Sequence, residues 1–100
     1  MALEFQVVDI NFSNVRGTQR ETRTVSFQGF VRTAEAALHG FLLEFPGRAD
    51  ITPDRIQVLA ETLSTAHNDV EVQATVILRD NKGDDDYTAI VNVLVIADTN

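Results

Sequence analysis

"TPDRIQVLAETLSTAHN", residues 52–68, can be read as a helix or as a strand, and the fold class follows from the choice. The helical reading rests on start chemistry. Thr52 can cap the first turn, and Pro53 suits the first helical position because its missing N–H would be unpaired there anyway. Asp54 adds a negative charge at the positive end of the dipole. A helix near 53–66 would make the chain a small α+β domain. The strand reading rests on Ile56, Val58, Ala60, Thr62 and Ser64, which fall at every second position and would share one face of an extended chain. Residues 34–45 repeat the conflict. Ala34, Ala37, Leu38, Phe41, Leu42 and Phe45 make a helical stripe, yet they fit a strand apolar on both faces equally well, and Gly40 weakens the helix.

The rest of the chain has a period of two. In residues 4–12, Val8, Ile10 and Phe12 alternate with Asp9 and Asn11, which predicts a half-buried strand. In residues 24–31, Val25, Phe27 and Val31 face inward. "NVRGTQRETR", residues 14–23, is polar and contains Gly17, so it reads as an exposed connection, and "PGRAD", residues 46–50, stops any regular element. Residues 70–79 and 87–97 are rich in β-branched side chains and flank a short polar loop, the pattern of an antiparallel hairpin. The last of these, "YTAIVNVLVIA", is apolar on both faces apart from Asn92. It should therefore be a central strand, covered on its second face by another sheet or a neighbouring subunit.

Composition bounds the function. A chain of 100 residues, 44% hydrophobic, forms a single domain with a small core over 1–100. Fifteen acids against eight bases give a net charge of −7, which repels phosphate backbones and leaves no basic stripe, so nucleic acid is not an expected partner. Without cysteine there is neither a disulfide framework nor a thiolate metal site. The opening "MALEFQVVDINF" carries acids where a signal peptide needs a basic start and an unbroken apolar block. No segment reaches the roughly 20 apolar residues of a membrane helix. The expectation is a soluble protein of open compartment, without membrane insertion.

"DNKGDDDY", residues 80–87, is the most charged stretch. Asp80, Asn81, Asp84 and Asp86 around Gly83 echo a calcium loop, but the bidentate glutamate and its spacing are missing. Density of Asn, Asp and Gly is also what a hairpin turn needs, so the loop reads as a solvated turn, with no metal and no cofactor. His39, beside Gly40 in an apolar run, reads as a buried or interface residue. His67 reads as a turn residue. Ser64, His67 and Asp69 crowd one turn too tightly for nucleophile, base and orienting group to align, so no enzyme is expected.

Three segments carry a family resemblance: "RTVSFQGFVRTAEAALHGFLLEF" (23–45), "DRIQVLAETLSTAHNDVEVQATV" (54–76) and "YTAIVNVLVIAD" (87–98). Together they resemble the H-type lectin domain of snail agglutinins and slime-mould discoidins, over roughly residues 20–98 and in strand pattern more than in identities. The resemblance implies that 36–45 and 55–65 are strands, and that the fold is all-β, a six-stranded antiparallel β-sandwich. It implies homo-oligomers, trimers or hexamers, binding glycans of the N-acetylgalactosamine type at subunit interfaces. It places Arg55 where the family's sugar-contacting arginine opens a strand, and Tyr87 where the closing hairpin's tyrosine stands. Arg79 and Asp80 adjoin them, where the hairpin loop begins. The chain departs from the family in having no tryptophan, whose place falls near Ile77, Leu78 or Arg79, and in its longer acidic loop. A carbohydrate-binding module is therefore expected first, and an assembly protein that uses the same sandwich without sugar second.

Overall fold

The computed structural model describes residues 2–47, 53–80 and 86–100. Six strands follow one another: β1 (Ala2–Val15), β2 (Gln19–Ser26), β3 (Val31–Glu44), β4 (Arg55–Ala66), β5 (Asp69–Arg79) and β6 (Tyr87–Thr99), with no helix among the described residues. They form two three-stranded antiparallel sheets. Sheet A has the order β1-β6-β3 and sheet B the order β2-β5-β4. The two longest strands have 14 residues, which at about 3.4 Å per residue accounts for the 50 Å length of a body only 17 Å across. The all-β expectation holds, and both ambiguous segments are strands.

Register explains why the strand reading wins over 55–66. Ile56, Val58, Ala60 and Thr62 stand opposite Leu78, Val76, Ala74 and Val72, so a helix there would strip the inner face of β5 of its neighbours. Of the helix-start residues, Thr52 lies outside the described residues. Asp54 donates its backbone N–H to the Arg79 carbonyl at 2.6 Å, which extends the ladder by one bond. In β3 the helix-breaking Gly40 follows a bulge. The pairing shifts between Leu38 and Gly40, and a Cβ on Gly40 would come within 3.2 Å of Asn92 Oδ1. His39 is the extra residue of that bulge. It is exposed on an edge strand, so its expected burial is corrected: the bulge takes it out of the alternation.

The core lies between the sheets. Ile10 and Phe12 of β1, Val25 and Phe27, Val70, Val72, Ala74, Val76 and Leu78 of β5, and Tyr87, Ala89, Val91, Val93, Val95 and Ala97 of β6 are all buried. Full burial of one such aliphatic side chain contributes roughly 1.5–3 kcal/mol. The polar run 14–23 is shorter as a connection than its composition suggests. Strand β1 continues to Val15 and β2 begins at Gln19, so only residues 16–18 turn the chain, with Gly17 at φ 72°. His67 does sit in a turn, at φ 56°.

Polar clamps close the end of the sandwich where the chain begins and finishes. The Glu4 carboxylate accepts the Thr99 hydroxyl at 2.7 Å and the backbone N–H groups of Gln28 and Gly29 at 3.2 Å each. These bonds favour the ionised form and hold the carboxyl below the usual carboxylate range, the Thr99 bond contributing most. Because the folded value is depressed, the stabilisation is present above the ordinary value and is lost as pH falls through the folded one.

Two outcomes follow. Ile10→Ala, at a position with no exposure, should cost about 2–5 kcal/mol in urea unfolding, whereas Ile56→Ala, 58% exposed on an edge strand, should cost much less. In acid titrations of melting temperature, wild type should lose stability below about pH 4.5, and Glu4→Gln should lack that part of the acid limb. A variant that retains the full acid limb would remove Glu4 from this role.

Candidate functional site

The residues expected at a site divide between surface and core. Arg55 and Arg79 stand directly opposite each other on β4 and β5. Their neighbours Ile56 and Leu78 are also paired, and Leu78 lies in the core, so the two guanidinium groups share the outer face of sheet B. Like charges opposite each other on a sheet repel. Asp54 offsets this in part, its carboxylate 3.7 Å from the Arg79 guanidinium, and Gln57 accepts from Arg55 at 3.5 Å. The result is a small exposed cluster of directed donors at one end of sheet B. Guanidinium forks of this kind donate to carboxylate, phosphate or vicinal hydroxyl oxygens.

Tyr87 and Asp80 do not join that cluster at the surface. Tyr87 has no exposed area at all, and its hydroxyl donates to the Gly17 carbonyl at 2.5 Å and lies 3.2 Å from the Val76 carbonyl. The ring belongs to the core and ties β6 to β5 and to the turn at 16–18. A sugar cannot reach it in this structure, so the expected contact role for Tyr87 is corrected. The sequence held the signal for this: Tyr87 heads the same alternation as Ala89, Val91, Val93 and Val95, all inward. Asp80 is buried too, at 8% exposure. The stretch 81–85 lies outside the described residues, and with it Asn81, Gly83 and Asp84 of the acidic loop. Asp86, at the end of that loop, pairs with Arg16 at 2.9 Å. Asp69 accepts the Ser26 hydroxyl at 2.6 Å.

A second surface feature was only half visible in the sequence. The outer face of sheet A is apolar over the half that begins at Ala2. Leu3, Phe5 and Val7 on β1, each more than half exposed, lie beside Leu94 and Ile96 on β6, while β3 borders them with Thr33, Glu35 and Ala37, so the apolar stripe belongs to β1 and β6. The polar pair Asp9 and Asn92, joined by a hydrogen bond, ends this apolar half, and Gly40 completes that row. At its rim one carboxylate oxygen of Asp98 is buried without a hydrogen-bond partner. Leu38, Phe41 and Ile56 are exposed along the edges formed by β3 and β4.

The class that the fold defines is a two-sheet antiparallel β-sandwich. Compared with protein-family models, with curated proteins and with solved structures, the chain matches none of them. Among the described residues no helix is long and apolar enough to cross a membrane.

Tyr87 gives a direct readout, because it is the single tyrosine of the chain. Burial pushes its hydroxyl pKa up, so above about pH 10 the unfolded chain ionises while the folded one resists. Stability should then fall as pH rises through that range. Tyrosinate absorbance should titrate late in the native protein and normally in urea. Tyr87→Phe should cost about 1–2 kcal/mol through the lost hydrogen bond and abolish this alkaline dependence. A native titration identical to that in urea would contradict the buried assignment.

Proposed function

We propose that this chain is an oligomeric glycan-binding module, in which sheet A joins copies of the subunit and the Arg55–Arg79 end of sheet B meets the sugar. The observation that carries the reading is the apolar half of the outer face of sheet A. Two strands about 4.8 Å apart, over some seven residues of about 3.3 Å each, give on the order of 200 Å² in plan. What favours an interface is that Leu3, Phe5 and Val7 are contiguous with Leu94 and Ile96 and rimmed by polar groups, whereas apolar residues scattered singly need no partner. Closed symmetry lets one such face serve every copy, and a trimer or hexamer is the assembly the H-type lectin resemblance favours.

The sugar-binding half of the proposal rests on Arg55 and Arg79 and on that same resemblance. With Tyr87 buried and no tryptophan present, the site lacks a stacking platform, which forfeits on the order of 1 kcal/mol per ring. Each site is therefore weak, and useful avidity comes from several sites on one oligomer. N-acetylgalactosamine-type glycans are the first ligands to test. The missing platform is also the specific observation that favours the second reading, an assembly protein without sugar binding.

Two measurements separate these readings. Sedimentation equilibrium should give a trimer or a multiple of it at micromolar concentration, and Phe5→Glu, which places a charge at the centre of the exposed β1 stripe, should yield a folded monomer. A monomeric wild type would defeat the assembly reading. On a glycan array the wild type should bind multivalently presented sugars and Arg55→Ala should not, because charge-assisted hydrogen bonds worth about 1.5–3 kcal/mol each are lost. Circular dichroism of Arg55→Ala should be unchanged, since removing one of two opposed like charges relieves repulsion. An oligomer that binds no sugar would leave the assembly protein.

A further inference from the structure

The other half of the outer face of sheet A, beyond the Asp9–Asn92 pair, differs from the apolar half. There the sheet forms a groove of about 270 Å³. Strand β1 supplies one wall through Asn11 and Ser13, β3 the other through Leu42 and Glu44, and the central strand β6 the floor through Thr88 and Ile90. With each flanking strand about 4.8 Å from the centre, the walls stand roughly 10 Å apart, which admits one extended alkyl chain. The groove is shaped locally by β1. Its pairing with β6 shifts between Phe12 and Val15, and Asn14 adopts φ 51°, a left-handed conformation uncommon outside glycine. Bulges and such backbone positions are concentrated where a surface is shaped for a ligand.

The chemistry of the lining is specific. The side chains of Asn11, Ser13, Glu44 and Thr88 form no hydrogen bond with any other described residue, although four polar groups so close together could have paired among themselves. All of them can accept. The only charge in the lining is the Glu44 carboxylate, and the base just past the end of β1, Arg16, is already engaged by Asp86. The apolar members, Leu42 and Ile90, stand opposite each other across β3 and β6 and give an aliphatic bed beside the acceptors. An anion would meet Glu44 and the −7 charge of the chain, while a neutral polyol could donate hydroxyl groups to Glu44 but would leave its charge uncompensated and would have no methylene stem to lay on Leu42 and Ile90. A primary ammonium on a short alkyl stem uses every feature: its three N–H donors meet the carboxylate and neighbouring oxygens, and its methylenes lie on Leu42 and Ile90.

We propose that this groove is a binding site for a primary alkylammonium group, either a free aliphatic amine or a lysine side chain. The inference does not depend on the glycan reading, because the groove lies on the opposite sheet from Arg55 and Arg79. It is also compatible with assembly, since the apolar half of sheet A lies about 13 Å away, four residues along β1 from Val7 to Asn11.

The test is an amide NMR titration of the full chain with n-pentylamine at neutral pH, with n-pentanol, methyl galactoside and Nα-acetyl-lysine methylamide as parallel probes. Saturable shifts in the millimolar range are expected at residues 11–13, 42–44 and 88–90, with pentylamine but not with pentanol or the galactoside. Glu44→Gln should bind pentylamine roughly fivefold more weakly, the upper end for an exposed ion pair. Its melting temperature should stay at the wild-type value, because the carboxylate makes no internal bond. Tighter binding of the lysine derivative than of pentylamine would assign the site to a protein partner, and the reverse to a free amine. Equal binding of pentanol, preferential binding of the galactoside, an unaffected Glu44→Gln, or no saturable shift at these residues would each overturn the proposal.

Discussion

Strand β6 is apolar on both faces, and an extended chain sends alternate side chains to opposite sides. One sandwich can therefore bury only half of them. Tyr87, Ala89, Val91, Val93, Val95 and Ala97 fill the space between the sheets. Ile90, Leu94 and Ile96 must then face outward whatever the rest of the chain does. A slip of one residue would exchange the two sets and expose the inner valines, so the register of β6 against β1 and β3 is fixed by the core. The outer face of sheet A is a consequence of that choice.

The remaining contacts hold two narrow sheets face to face along a 50 Å body. A sandwich of three strands per sheet has a thin core, and sheets in contact only through aliphatic side chains can slide. Directional bonds resist this at the ends. Glu4 reaches from β1 to Thr99 and to the segment between β2 and β3, while Tyr87 reaches from the start of β6 to Gly17 and towards Val76. At the turn between β4 and β5, Phe27 and Asn68 exchange hydrogen bonds, and Val31 donates to His67 at 2.7 Å. Each tie spans elements distant in sequence. Loop-closure entropy is then offset at several points along the body instead of by hydrophobic contact alone.

The fold was legible in the sequence where the alternation was clean. Val70 to Leu78 and Ala89 to Ala97 announce their strands because apolar side chains recur at every second position, and the pairing agrees. Residues 55–66 were ambiguous for a physical reason: Pro53 and Asp54 favour a helix start locally, and only the facing row Leu78, Val76, Ala74 and Val72 decides against it. Tertiary context overrides propensity there. Burial of His39, one of the two places its sequence suggested, fails because a bulge shifts the alternation by one residue, and nothing within three residues of it in the sequence marks a bulge except Gly40. The site was less legible than the fold. Arg55 and Arg79 are brought together by the register of β4 on β5, but Tyr87 was assigned by resemblance although its own alternation placed it inside. The groove at Asn11, Ser13, Glu44 and Thr88 could not be read at all, since its members come from three strands and converge only through pairing.

The polar row Asp9, Asn92 and Gly40 gives sheet A a boundary with a physical function. Asp9 and Asn92 satisfy each other, and the absent side chain at Gly40 leaves room for the Asn92 amide beside the bulge. A continuous apolar face from Leu3 to Leu42 would have had no preferred alignment against a second copy, because hydrophobic contact is non-directional and any slide along the strands buries similar area. A hydrogen-bonded polar pair in the middle penalises every arrangement that covers it without offering a partner. Asp98 acts in the same way at the far rim. Under the assembly proposed for this face, association would be confined to the half between these two polar limits, and the remainder of the sheet, with its carboxylate and hydroxyl groups, would stay in water.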